Sequence, residues 1–64
     1  LEWIKMTIRE LTEMGIRDLE ANGLSTRSDD VCNHLHDNYD WESLGFTLND
    51  VFYGSRWHIS KLRK

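Results

Sequence analysis

No proline occurs anywhere in this 64-residue chain. The strongest helix breaker is therefore missing, and capping residues and glycines must set where helices start and stop. Apolar residues recur at three- and four-residue spacing in three separate stretches. Near the C-terminus, where a strand is the competing assignment, alternation fits only Trp57 and Ile59. The expected fold is all-α: a small bundle of three main helices with a short helical turn in the connector.

The first helix should run from Thr7 to Asn22. Thr7 and Glu10 have the spacing of a capping box. Ile8, Leu11, Gly15 and Leu19 make its inward stripe, and Ile4 extends that stripe backwards. Gly15 costs about 1 kcal/mol against alanine, and a glycine there permits close approach of another helix. Asn22-Gly23-Leu24 is a stop signal, with Gly23 free to turn left-handed and Leu24 to fold back. Ser28 is the expected cap of a second helix over residues 29–37, with Asp29 and Asp30 in its first turn. Val31, Cys32, Leu35 and Tyr39 face inward. Asp40 caps one further turn that Gly45 ends, with Trp41 and Leu44 plugging the core.

Leu48, Val51, Phe52, Ser55, Ile59 and Leu62 mark one helical face, which predicts a single helix from Leu48 to Arg63 despite Gly54. The competing assignment breaks the chain at Gly54-Ser55. Phe46 and Val51 have the spacing of a hydrophobic staple. The expected core is Ile8, Leu11, Leu19, Val31, Leu35, Leu44, Phe46, Leu48, Val51, Phe52, Ile59 and Leu62.

A chain this short is one domain and buries only about 60% of its unfolded surface, so its stability is marginal. Cys32 is the single cysteine, which excludes an internal disulfide framework and suits a reducing cytoplasm. Residues 1–64 read as one helical domain. Met6 is the first methionine, so residues 1–6 would be an N-terminal extension or foreign to the native protein, or the whole chain would be a fragment of a longer one. No apolar run approaches the roughly 18 residues of a membrane helix, and residues 1–22 mix charge with apolar residues unlike a signal peptide.

Charge divides the chain. Residues 1–54 hold all eleven acids and only Lys5, Arg9, Arg17 and Arg27 as bases, a formal −7. The last ten residues, Ser55-Arg56-Trp57-His58-Ile59-Ser60-Lys61-Leu62-Arg63-Lys64, hold four bases and no acid. The overall −3 hides a basic end on an acidic body, and such asymmetry points to an anionic partner. On the outer face of the last helix, Asn49, Tyr53, Arg56, Ser60 and Lys64 recur at spacings of three and four, flanked by Trp57 and Lys61. Cationic side chains hold phosphates, while asparagine reads base edges and aromatics pack on sugars or bases. The plainer interpretation is a solvated face with cations near a helix C-terminus, where the dipole favours them.

Asp30-Val31-Cys32-Asn33-His34-Leu35, with Ser55–Lys64 downstream, resembles the second and third helices of helix-turn-helix DNA-binding regulators. The resemblance covers about half the chain and implies a last helix lying in the DNA major groove. That family joins the two helices by three or four residues. Here residues 38–47 form the link, so an extra helical turn must fill it.

Other chemistries find less support. Cys32, His34, His36 and His58 lack the paired close spacing of structural zinc. Residues 37–40 lack the glycine and terminal glutamate of a calcium loop. Cys32 and His34 point to different sides of a helix, acids in a first turn complement the dipole, and the isolated glycines form no phosphate loop. The chain reads as a non-enzyme without cofactor or metal. The expected function is a small DNA-binding or DNA-associated regulator. Arg56, Lys61, Arg63 and Lys64 would hold phosphates, and Asn49, Tyr53 and Trp57 would sit near bases or sugars. The alternative is a protein–protein interaction module, an inhibitor or adaptor, presenting Trp3, Met6, Met14 and Ile16. A homodimer suits either function.

Overall fold

The computed structural model describes residues 6–62. Among them there is no strand. Helices α1 (Ile8–Ala21) and α2 (Ser28–Asn38) pack against a C-terminal rod over residues 48–62. Within the rod, a π-turn (Asp50–Gly54) leads directly into α3 (Ser55–Leu62).

The ends of α1 form as their residues dictate. The Thr7 Oγ1 accepts the Glu10 amide at 3.1 Å, and the Glu10 carboxylate accepts the Thr7 amide at 2.8 Å. A cap of this kind is worth about 1 kcal/mol. At the other end Gly23 adopts φ +68°, and the Leu24 amide donates to the Leu19 carbonyl at 2.8 Å while Gly23 donates to Glu20 at 3.0 Å. That bond pair satisfies two carbonyls that no intrahelical donor reaches.

Helix α2 starts one residue before its expected boundary. Ser28 is its first helical residue and not its cap. Arg27 takes the cap position with no side-chain bond to the helix, because a guanidinium has no acceptor for the free amides; its own amide donates to Ser25 Oγ at 3.3 Å. Asp29 and Asp30 occupy the first turn, where they complement the dipole.

In the connector Asp40 accepts the Ser43 amide at 3.4 Å and the Ser43 hydroxyl at 2.6 Å. Gly45, at φ +90°, ends a hydrogen-bonded turn over residues 41–45. Trp41 packs on the core, and its Nε1 donates to the His36 carbonyl at 3.3 Å. Leu44, expected in the core, does not join it and is 42% exposed; Trp41 alone of the pair packs on the core.

The buried apolar residues are Leu11, Leu19, Val31, Cys32, Leu35, Val51 and Ile59. Ile8, Phe46 and Phe52 close over them, half-buried. Gly15 lets α1 and α2 approach closely, since a Cβ there would lie 2.7 Å from Leu35 Cδ2. Met6 and Ile16, expected on an outer surface, also pack against this core, while Met14 is exposed. Trp3 and Ile4 lie outside the described residues. The buried Thr12 and Ser55 hydroxyls share a 2.9 Å hydrogen bond, and Thr12 also donates to the Ile8 carbonyl at 2.7 Å.

The rod does not break at Gly54, but neither is it a uniform α-helix. Thr47 and Asp50 exchange amide bonds at 3.2 and 2.9 Å, a second capping box that starts it. The Ser55 amide then reaches back five residues to the Asp50 carbonyl. A π-turn advances each residue by less than the 100° of an α-helix, so residues before and after it do not share one phase. The buried stripe narrows to Val51, Ser55 and Ile59. Leu48 and Leu62, expected in the core, fall outside it at the two ends of the rod and are 53% and 44% exposed.

Candidate nucleic-acid interface

The rod buries one side because Val51, Ser55 and Ile59 face α1 and α2. Its other side is consequently in solvent. Asn49, Tyr53, Arg56, Trp57, Ser60 and Lys61 are all exposed, with Tyr53 at 70% and Trp57 at 58%. The structure thus brings six expected face residues onto one surface. Arg63 and Lys64 lie outside the described residues. Tyr53, Trp57 and Lys61 follow at four-residue intervals, a single ridge along the rod. The π-turn lies at the start of this ridge, and turns of this type are frequent at functional sites.

Two of the cations are already engaged. The Arg56 guanidinium donates to Asp29 Oδ1 at 2.6 Å, joining the basic face to the first turn of α2. Both side chains are more than half exposed, so the pair contributes only about 0–1 kcal/mol and a phosphate can compete for Arg56. The Lys61 Nζ lies 5.1 Å from the centre of the Trp57 ring. An exposed cation–π contact is worth about 0.5–1 kcal/mol, less than the roughly 1–3 kcal/mol of a base stacked on an aromatic ring. A base stacked on this face would therefore outcompete the ammonium.

The face has a boundary that the local pattern did not reveal. Arg9 of α1 meets Trp57, His58, Lys61 and Leu62 around a cleft of about 240 Å³. Arg9 also pairs with Glu13 one turn along α1, at 3.6 Å. His58 stands edge-on to Trp57, with ring centres 4.9 Å apart. Arg9 is separated from Trp57 by most of the chain and belongs by sequence to the acidic body, so only helix packing joins it to the basic end.

A second polar cluster joins α1 to the end of α2. Tyr39 donates to Asp18 Oδ2 at 2.7 Å, and His34 Nε2 lies 3.3 Å from the same oxygen. Asn38 Nδ2 is 3.1 Å from His34 Nδ1. With Nδ1 accepting from the amide, Nε2 carries the proton and donates to Asp18. The bonds from Tyr39 and then His34 hold the Asp18 carboxyl below its ordinary range. Burial, and then the bonded carboxylate, push the Tyr39 hydroxyl up to about 12. Each polar atom named here has a partner, which makes the cluster a clamp between helices.

Among the described residues no three His, Cys, Asp or Glu side chains converge as a metal site requires. The imidazole of His34 turns to Asp18, and that of His36 to Asp37 at 3.0 Å and to the ring of Trp41. The Cys32 thiol is buried and donates to the Phe52 carbonyl at 3.5 Å, and burial raises its pKa. Such a thiol is a poor nucleophile. No helix of the described residues is long and apolar enough to cross a membrane.

No family model matches this chain, and neither the curated proteins nor the solved structures contain a significant match.

Proposed function

We propose that this protein is a small DNA-binding or DNA-associated regulator, helix-turn-helix-like in its use of a basic last helix, acting in the cytoplasm. The observation that carries this reading is the solvent face of the rod. Asn49, Tyr53, Arg56, Trp57 and Lys61 stand there together, on a helix whose opposite side is the core. Arg56 and Lys61 hold phosphates, joined by Arg63 and Lys64 at the chain end. Asn49 reaches base edges, and Tyr53 and Trp57 pack on sugars or bases. The acidic residues of α1 and α2 repel the backbone wherever they face it, which limits DNA to this one side.

Titration of DNA by fluorescence anisotropy tests the proposal. With four or five phosphates neutralised on duplex, the log–log salt slope is about −4. Reversing the charge at both Arg56 and Lys61 (R56E with K61E) abolishes binding while circular dichroism stays unchanged. Absence of affinity for any DNA at low salt rejects it.

A second reading has its own support. Leu62 and Ile16, with Glu13, Arg17, Glu20 and Thr26, line an open groove of about 440 Å³ between α1 and the rod end. In an interaction module, or a homodimer, an apolar side chain of the partner fills this groove. Sedimentation then shows a mass above the monomer that L62K returns to monomer, and R56E leaves it unaltered.

A further inference from the structure

We infer that the cleft formed by Arg9, Trp57, His58 and Lys61 takes one unpaired base of a nucleic-acid strand, with Arg9 and Lys61 on the flanking phosphates. This rests on the nucleic-acid reading above and narrows it to DNA that offers single-stranded bases. Two properties of the cleft select this ligand. Its volume, about 240 Å³, is below the roughly 300–1,000 Å³ of pockets for drug-sized molecules, so it suits a single ring system. Its described lining carries two permanent cations and an imidazole but no acid, which complements a phosphate on either side of a base.

The indole decides between paired and unpaired strands. Trp57 offers a flat apolar face and one N–H donor, and it is not among the side chains that read base edges in a groove. In a duplex both faces of a base are covered by its stacked neighbours, so only an unpaired or extruded base can lie on that ring. Tyr53, one turn back on the same ridge and 70% exposed, supplies a platform for the adjacent base. The pair Arg9–Glu13 does not block the site. Arg9 is 64% exposed, and a guanidinium has five donors, of which this 3.6 Å contact engages one nitrogen.

The experiment is a fluorescence-anisotropy titration of the whole chain with a single strand of about twelve nucleotides and with its duplex, at matched low salt. The single strand is expected to bind at least about tenfold more tightly. Trp57→Leu, which keeps apolar bulk without a flat face, should weaken single-strand binding by about 5- to 150-fold, the range of one lost stack. Trp57→Phe should restore most of it, and Trp57→Leu should cost the duplex at least about fivefold less affinity than it costs the single strand. Arg9→Ala should reduce the single-strand salt slope by about 0.7, the value for one phosphate. Circular dichroism confirms that each variant is folded. Tighter duplex binding, or equal losses on both DNAs for Trp57→Leu, overturns the inference and leaves the DNA-binding proposal standing. Failure to bind either DNA overturns both.

Discussion

Replacing Gly15 by alanine sets two effects of known sign against each other at one atom. Alanine is the better helix former by about 0.8–1.0 kcal/mol, so in an exposed helix the change stabilises. Here the added methyl lands 2.7 Å from Leu35 Cδ2 and 3.2 Å from Leu35 Cγ. Leu35 is fully buried and cannot swing into solvent. Overpacking of this kind costs about 1–3 kcal/mol. The cost exceeds the gain, and G15A is expected to be destabilised by about 1 kcal/mol. In a domain of this size that lowers the melting temperature by roughly 4–8 °C. Thermal and urea unfolding followed by circular dichroism at 222 nm reads the change. The companion measurement uses a Leu35→Ala background, kept folded with sucrose. There the two crowding Leu35 atoms are gone and the next nearest, Val31 Cγ1, lies at 3.7 Å, an ordinary contact, so the sign should reverse and G15A should stabilise by about 1 kcal/mol. If G15A raises the midpoint in the native background, the close approach of α1 and α2 at Gly15 is not as described.

Four other outcomes follow from the same contacts. Thr12→Val leaves the Ser55 hydroxyl buried without its partner and should cost about 1–3 kcal/mol, whereas T12V with S55A should recover much of that in urea unfolding. Asp18 is held below its ordinary carboxylate range, so its stabilising effect is full above about pH 4 and disappears as pH falls through the lowered value. Tyr39 behaves oppositely. Its folded pKa is about 12, so the fold binds the proton more tightly than the unfolded chain does, and stability falls as pH rises from about 10 towards 12. Tyr39→Phe should reduce the alkaline loss, leaving the part due to the buried Cys32 thiol, and weaken the acid one in pH-dependent unfolding. Asp29→Asn releases Arg56 from its 2.6 Å partner, so it should tighten DNA binding while changing stability by no more than about 1 kcal/mol.

Short-range features of this protein were legible in its residues because their partners lie within one turn. Thr7 and Glu10 meet as a reciprocal cap, Gly23 takes positive φ, and Asp40 and Gly45 bound the connector turn. The Thr47–Asp50 box has the same spacing and was open to the same reasoning. Helical periodicity placed Leu11, Leu19, Val31, Leu35, Val51 and Ile59 in the core. It failed at Leu44, Leu48 and Leu62, for two reasons. A single connector turn turns Trp41 towards the core and Leu44 away from it, and the π-turn changes the rotation per residue inside what reads as a uniform α-period.

The candidate site divides along the same line. Placing Asn49, Tyr53, Arg56, Trp57 and Lys61 on one surface requires only the period of a helix, and the chain's own pattern sufficed for that. Arg9 beside Trp57, Asp29 beneath Arg56 and Asp18 beneath Tyr39 are contacts across 21 residues or more, set by how three helices settle against Gly15, Ser55 and Leu35. The sequence alone determined which stretches coil and which faces are apolar, because those depend on neighbours three and four residues apart. Tertiary structure alone decided which charges of different helices meet, because the helices' relative positions follow from close packing summed over the whole core.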